Sequence, residues 1–458
     1  MGVDRDVVIV SNRGPVSFSE DDDGQLVAKR GAGGLVSGIG PLVADTNATW
    51  IAAAISDADR KAAGRGTVEA DGFRARLLNI DPATYRLAYD DVSNQVLWFL
   101  HHGLYELPYE PIFGTEFRAA WGAYRRMNQA FASAVLNEAP NGAAVLVQDY
   151  HLALVGHDLA EHRPDLDAVH FSHTPFATPT WLRTLPDHVA AELLAGLCAF
   201  RACGFHTQRW ADDFTACCRE ILALTPRTFV SPLPADADDL RRAATSAACD
   251  AAFAELSAVV GDRLVIGRSD RIELSKNLVR GFLAYDDLLD RHPEWQGQVV
   301  FVASVYPSRG GVPAYHRYQA EVEATVARVN ERWGTDDWTP VILDTDDDYP
   351  RSVALLRRSD VLLINPIRDG LNLVAKEAAL VNERDGVLCL SPEAGAWAEL
   401  GDVALRVPPF DVAGTADVLD RALRMSPAAR AHHAKRLREL VEARRPADWL
   451  AEQLAAAQ

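Results

Sequence analysis

Ten short, continuously apolar runs recur along this chain, with amphipathic stretches between them. They are DVVIVSN (6–12), AVLVQDY (144–150), DAVHFSH (167–173), ACGFHT (202–207), RLVIGR (263–268), QVVFVAS (298–304), TPVILDT (339–345), DVLLINP (360–366), GVLCLSP (386–392) and ALRVPP (404–409). A strand with one wet face alternates apolar and polar residues. These runs do not alternate, so both faces are covered, as in a parallel sheet between helices. The intervening EFRAAWGAYRRMNQAFASAVLNEA (116–139) and YHRYQAEVEATVARVNERW (315–333) carry the helical period. Strand and helix in alternation make an α/β chain.

A length of 458 residues calls for more than one domain. SPLPADADD (231–239), with two prolines among polar residues, interrupts the alternation and marks the boundary. The expectation is a first domain over 1–233, rejoined by the C-terminal helix 446–458, and a second over 234–445. The formal charge of −18 argues against nucleic acid or an anionic membrane as partner. No apolar run reaches a membrane span and no signal peptide is visible, so the expected location is the cytoplasm. The six cysteines form no CxxC pair and read as buried free thiols. A homo-oligomer is left open.

Against so acidic a background, basic residues at strand ends stand out. In open α/β sheets, ligands bind beyond the carboxyl ends of the strands. Here those ends carry Arg13, Asp149, His151, His173, Arg271, Lys276, Arg309 and Asp369, in both halves of the chain. That distribution predicts one cleft between two domains. In RDGLNLVAKE (368–377), Gly370 permits a tight turn and a helix begins near Leu371. Its free N–H groups and dipole make an anion seat, fit for a diphosphate. Arg271 and Lys276 add two cations, and Glu377 can accept from ribose hydroxyls. KRGAGGLVSGIG (29–40) does not match a dinucleotide fingerprint and reads as a flexible glycine loop. EDDDGQ (20–25) reads as a hairpin tip. The aromatics Tyr89 and Trp98 read as core, His101 and His102 as structural, and the aspartates of DTDDDY (344–349) as a solvated edge rather than a metal site.

Taken in order, several stretches resemble glycosyltransferase family 20, the trehalose-6-phosphate synthases. They are VSNR (10–13), GGL (33–35), YxxxSNxVLW (89–98), DYHL (149–152), HxPF (173–176), GFxT (204–207), RIELSK (271–276), SRG (308–310) and RDGLNLVAKE (368–377). The resemblance implies a GT-B fold, two Rossmann-like domains with parallel sheets facing across a cleft. It implies a nucleoside-diphosphate glucose donor held by Gly33, Gly34, His173, Arg271, Lys276, Asp369, Leu371, Asn372, Leu373, Val374 and Glu377. It places glucose 6-phosphate on Arg13, Tyr89, Trp98, Asp149 and Arg309. The catalytic set it implies is Asp149, His173, Arg271 and Lys276, with no metal and no cofactor. The product would be α,α-trehalose 6-phosphate, made with retention by front-face attack.

The chain also departs from the family pattern. Gln148 stands where a histidine often precedes Asp-Tyr-His, WIAA (50–53) reduces a WxGW-like segment, and RIELSKN replaces RLDYxKG. The base-binding loops are not readable, so UDP-, GDP- and ADP-glucose each fit. Two rival readings are a pseudo-glycosyltransferase that couples cyclitols through a C–N bond, and a non-catalytic sugar-phosphate sensor.

Overall fold

The computed structural model describes residues 5–31, 34–44 and 46–458. The chain divides into two compact units, Met1–Leu233 with Pro446–Gln458, and Pro234–Arg445. Among the described residues the first unit holds strands β1 (Val7–Val10), β2 (Val16–Glu20), β3 (Leu26–Arg30), β4 (Thr49–Ala53), β5 (Thr67–Ala70), β6 (Phe73–Leu78), β7 (Ala144–Gln148), β8 (Asp167–Ser172), β9 (Ala202–Phe205) and β10 (Thr228–Val230). Eight of them form one sheet in the order β10-β9-β8-β7-β1-β4-β6-β5. All neighbours in it are parallel except the edge pair β5 and β6. β2 and β3 make a separate hairpin around the acidic tip expected there.

The second unit holds β11 (Leu264–Ile272), β12 (Val299–Pro307), β13 (Val341–Asp344), β14 (Val361–Ile364), β15 (Val387–Leu390) and β16 (Leu405–Arg406). They form a wholly parallel sheet in the order β13-β12-β11-β14-β15-β16. β1, β7, β14 and β15 are buried at every residue, which is why their sequences do not alternate. β11 and β12 pair over nine residues, from Leu264↔Val299 to Ile272↔Pro307. β14 meets β11 only at Ile266 and Gly267. The far end of β11 therefore overhangs its neighbour, and that overhang carries Arg268 to Arg271.

The structure differs from the sequence reading in β4, β5, β6 and β10, which are not among the ten apolar runs, and in two helical segments. β5 and β6 interleave charged with apolar residues and lie at the sheet edge, and Asp71 and Gly72 between them, with φ of 48° and 79°, make a tight hairpin turn. The supposed glycine loop is instead partly helical, over Gly34–Val43, because its apolar residues repeat at helical spacing. Residues Leu87–Leu97 form a π-helix, a conformation that propensity does not reveal.

The C-terminal helix Pro446–Ala456 is anchored in the first unit through Trp449. That side chain is fully buried, and its Nε1 donates to the Ser231 carbonyl at 3.0 Å. Gly204 in β9 has a packing reason: a Cβ there would lie 2.4 Å from the rings of Phe171 and Phe229. All six cysteines are free thiols, five buried and Cys198 half-buried. Among the described residues no single helix is long and apolar enough to cross a membrane.

Candidate functional site

In the second unit the predicted cations and acids meet at the end of β11. Lys276 closes a short 3-10 turn, Leu274–Lys276. Its Nζ lies 2.7 Å from Asp369 Oδ2 and 3.5 Å from Asp270 Oδ1. Burial opposes the charge on this ammonium, but Asp369, Asp270 and Glu273 outweigh burial and raise its pKa. Burial in turn raises Asp270, with Lys276 and Arg268 opposing it. Arg268 is fully buried, with its Nε 3.2 Å from Asp270 and one Nη 2.7 Å from the Asn365 side-chain oxygen. Its other Nη donates to the Lys276 carbonyl. Arg268 and Asp270 thus hold the lysine from beneath, and sequence reasoning missed both. The signal was a charged pair two residues apart on one face of an otherwise apolar strand.

Glu273 is a third residue whose part the sequence does not show. It is wholly buried, and it receives Arg271 at 3.1 Å and Arg309 at 2.5 Å. Arg309 has φ of 49° and lies over the Tyr315 ring, 5.5 Å from its centroid. The structure therefore gathers Arg271 and Arg309 around one carboxylate in the second unit. The exchange of Asp for Glu in RIELSKN sits at this junction.

The RDGLN turn is clasped by SPEAGAW (391–397), whose part the sequence did not show. The Asp369 N–H donates to the Glu393 carbonyl at 3.0 Å, and the Gly395 and Ala396 N–H groups donate to Asp369 and Leu371 at 3.0 and 2.7 Å. A Cβ at Gly395 would lie 2.0 Å from the Gly370 carbonyl oxygen, so only glycine fits. The helix begins at Leu373 rather than Leu371, because Asn372, at φ 76°, is its N-cap and accepts from the Ala375 N–H at 3.2 Å. Leu371 and Asn372 are buried while Leu373 and Val374 are half-buried. Lys376 faces Glu399 at 2.5 Å and is buried there, on a different face of the helix from Leu373 and Glu377.

Glu377 sits one turn into this helix, and burial alone pushes its carboxyl up to about 7. A carboxylic acid whose folded pKa lies above the usual 4.5 stabilises the fold at low pH, and that contribution fades as pH rises through about 7. The ribose contact expected of Glu377 would have the opposite sign, since the ionised form is the better acceptor of hydroxyl bonds. Donor affinity measured by calorimetry is expected to rise roughly tenfold between pH 6 and pH 8, and to be flat in Glu377→Gln.

In the first unit, β7 ends at Gln148 and the chain turns sharply at Asp149. That residue has φ 73° and ψ 164°, backbone space that is essentially glycine's. The conformer is held from three sides. The Asp149 N–H donates to Phe171 O at 2.7 Å, the His170 ring lies 3.0 Å from Asp149 O, and the His173 N–H donates to Asp149 Oδ1 at 3.2 Å. Burial lowers the His170 pKa to about 4 and the His173 pKa to about 3, so both rings are neutral.

An aromatic row leads away from Asp149. His151, with its Nδ1 3.9 Å from Asp149 Oδ2, stacks on Tyr89, which stacks on Tyr85, with centroid distances of 5.6 and 5.4 Å. The Tyr85 hydroxyl meets Asn12 at 3.1 Å. Tyr89 rides on the π-helix and is half-buried, so it is not the core aromatic its residue type suggested. Trp98 is core, as expected, and stacks on His102 at 3.9 Å. Arg13 is exposed, in a loop that Trp50 pins: the Trp50 Nε1 donates to Ser11 Oγ, and Ser11 Oγ donates to the Arg13 carbonyl, at 2.7 and 2.6 Å. Gly34 is the first residue of its helix, and Gly33 lies outside the described residues. Of the supposed acidic edge, Asp348 caps the helix Tyr349–Arg358 and Asp344 meets Arg351 at 3.3 Å.

Two Rossmann-like units, each with polar residues at the carboxyl ends of a parallel sheet, define the class: a GT-B glycosyltransferase. The chain belongs to glycosyltransferase family 20, whose family model matches residues 5–458. It is 31% identical to the bifunctional trehalose-6-phosphate synthase/phosphatase of Thermoproteus tenax, over 97% of this chain and 62% of that protein's length. A trehalose-6-phosphate structure from E. coli bound with UDP-2-fluoro glucose superposes with a TM-score of 0.86 at 28% identity, covering 99% of each chain. The UDP-forming α,α-trehalose-phosphate synthase of Burkholderia xenovorans, solved in complex with glucose-6-phosphate, gives 0.85 at 26% identity and covers 99% of each chain.

Proposed function

We propose that this chain transfers glucose from UDP-glucose to the anomeric hydroxyl of glucose 6-phosphate, forming α,α-trehalose 6-phosphate with retention. The observation that carries the reading is the cationic seat of the second unit: Lys276 held charged between Asp369 and Asp270, with Arg271 beside it on Glu273. Breaking the donor's glycosidic bond leaves negative charge on the diphosphate. Lys276, Arg271 and the N–H groups at the start of the Leu373–Val381 helix are donors suited to that charge. Each such group is worth on the order of 10²-fold in rate. Leu371 to Val374 line the glucosyl side and Glu377 takes the ribose.

On the acceptor side, the exposed Arg13 takes the 6-phosphate and the half-buried Tyr89 packs the sugar. Asp149 and His173 orient hydroxyls. The neutral His173 ring makes a poor general acid at pH 7, which fits front-face attack in which the leaving phosphate oxygen takes the acceptor's proton. UDP is chosen over GDP and ADP because the Burkholderia relative is UDP-forming and the E. coli structure holds a UDP sugar. The test is an end-point assay with glucose 6-phosphate and each of UDP-, GDP- and ADP-glucose. Turnover with UDP-glucose at least tenfold above the others is expected. Equal or greater turnover with another base would overturn the donor assignment.

A further inference from the structure

Gln148, where the family often has histidine, is linked in two directions. It is fully buried, and its Nε2 donates to the side-chain oxygen of Gln453 at 3.0 Å. Its own side-chain oxygen lies 3.0 Å from His173 Nε2. An amide oxygen can only accept, so that ring nitrogen carries the proton and Nδ1 is the acceptor of the ring. Gln453, in the C-terminal helix, is fully buried as well. Its Nε2 meets no hydrogen-bond partner, so its side chain makes a single accepted bond.

We propose that Gln453 is a positioning residue for His173: acting through Gln148, it fixes the histidine as its Nε2–H tautomer and leaves Nδ1 to accept a hydrogen bond from a hydroxyl of the bound hexosyl group. The ring's tautomer is set by the hydrogen bond its other nitrogen makes, and such outer partners commonly change activity by 10- to 100-fold. Without the Gln453 oxygen, Gln148 is free to turn its amide. Its NH₂ would then face His173 Nε2, favour the Nδ1–H form and place a donor where the substrate offers one. The C-terminal helix does not depend on this bond for its place. Trp449 and Glu452 tie it to Ser231, and the Trp449 ring packs 5.7 Å from His173.

The first readout is the ring state of His173 by long-range ¹H–¹⁵N correlation in the free protein, assigned with a His173→Asn sample. The wild type is expected to show Nε2–H. Gln453→Met keeps the volume but removes the acceptor, and is expected to show Nδ1–H or a mixture. Gln453→Glu keeps the acceptor and is expected to retain Nε2–H. In turnover, Gln453→Met is expected to lose roughly tenfold in kcat with the glucose 6-phosphate KM unchanged, and Gln453→Glu to recover most of it. Nδ1–H in the wild type would overturn the proposal whatever the variants do, and so would an unaltered tautomer in a folded Gln453→Met. The kinetic readout rests on the transferase reading above. The spectroscopic one needs no substrate, so failure of either idea is visible without the other.

Discussion

Lys276→Ala is expected to lose both turnover and stability. The lysine is proposed to meet the charge that grows on the departing diphosphate, and loss of one such donor costs on the order of 10²-fold or more in kcat. The structure adds a second consequence. Lys276 lies between Asp369 and Asp270, with all three side chains at most 16% exposed. Removing the cation leaves two carboxylates facing each other in a desolvated place, and breaking a buried pair in this way costs about 3–5 kcal/mol. For a unit of this size that corresponds to a fall in Tm of roughly 6 °C or more. Lys276→Arg keeps the charge and should recover much of the stability but less of the activity, because a fork does not fit where a point charge sat. Near-normal turnover in folded Lys276→Ala would remove the diphosphate assignment. An unchanged Tm would mean the carboxylates find other partners.

Asp149→Gly is expected to move stability and activity in opposite directions. A non-glycine residue at φ 73°, ψ 164° costs about 1–3 kcal/mol, and glycine adopts that conformation freely. The substitution also removes the acceptor of the His173 N–H bond and enlarges the entropy of the unfolded chain, which together offset part of the gain. A Tm higher by about 2–4 °C is the expected balance. Turnover should fall by 10²-fold or more, since a carboxylate proposed to orient a sugar hydroxyl is gone. A lower Tm would show that the Asp149 side chain contributes more than its backbone costs. Unchanged turnover would place the carboxylate outside the chemistry. Strain of this kind is what functional positions tolerate and the rest of a fold does not.

The reading of parallel, two-face-buried strands succeeded because it rests on a contiguous signal, visible in DVVIV or DVLLI without reference to anything distant. The candidate residues at strand ends were legible for a related reason: Asp149 closes an apolar run, Asp369 follows one by three residues, and Lys276 lies on the loop after β11. What the sequence concealed was partnership. Nothing local says that Glu273 serves both Arg271 and Arg309, or that Arg268 and Asp270 hold Lys276 from below, since these contacts join residues made neighbours by the packed sheet. The clasp of SPEAGAW on the DGLN turn lies more than twenty residues away in sequence and depends on Gly395 having no side chain. The π-helix carrying Tyr89 was hidden because one extra residue per turn leaves no compositional trace, and so Tyr89 was read as core. The β5–β6 hairpin was within reach, since Asp71-Gly72 is a recognised turn pair, but its flanking strands TVEA and FRARLL carry charged residues and so show no continuous apolar run.

In the proposed reaction a glucosyl group passes from the second unit's diphosphate seat to a glucose 6-phosphate acceptor with its configuration kept. The measurement that addresses it most directly is proton NMR of the product formed by the purified protein from UDP-glucose and glucose 6-phosphate, read together with UDP release. The expected product is a non-reducing disaccharide phosphate with both anomeric protons showing small, α-type couplings, in one-to-one yield with UDP. A β-configured linkage, or UDP released with free glucose and no disaccharide, would contradict it.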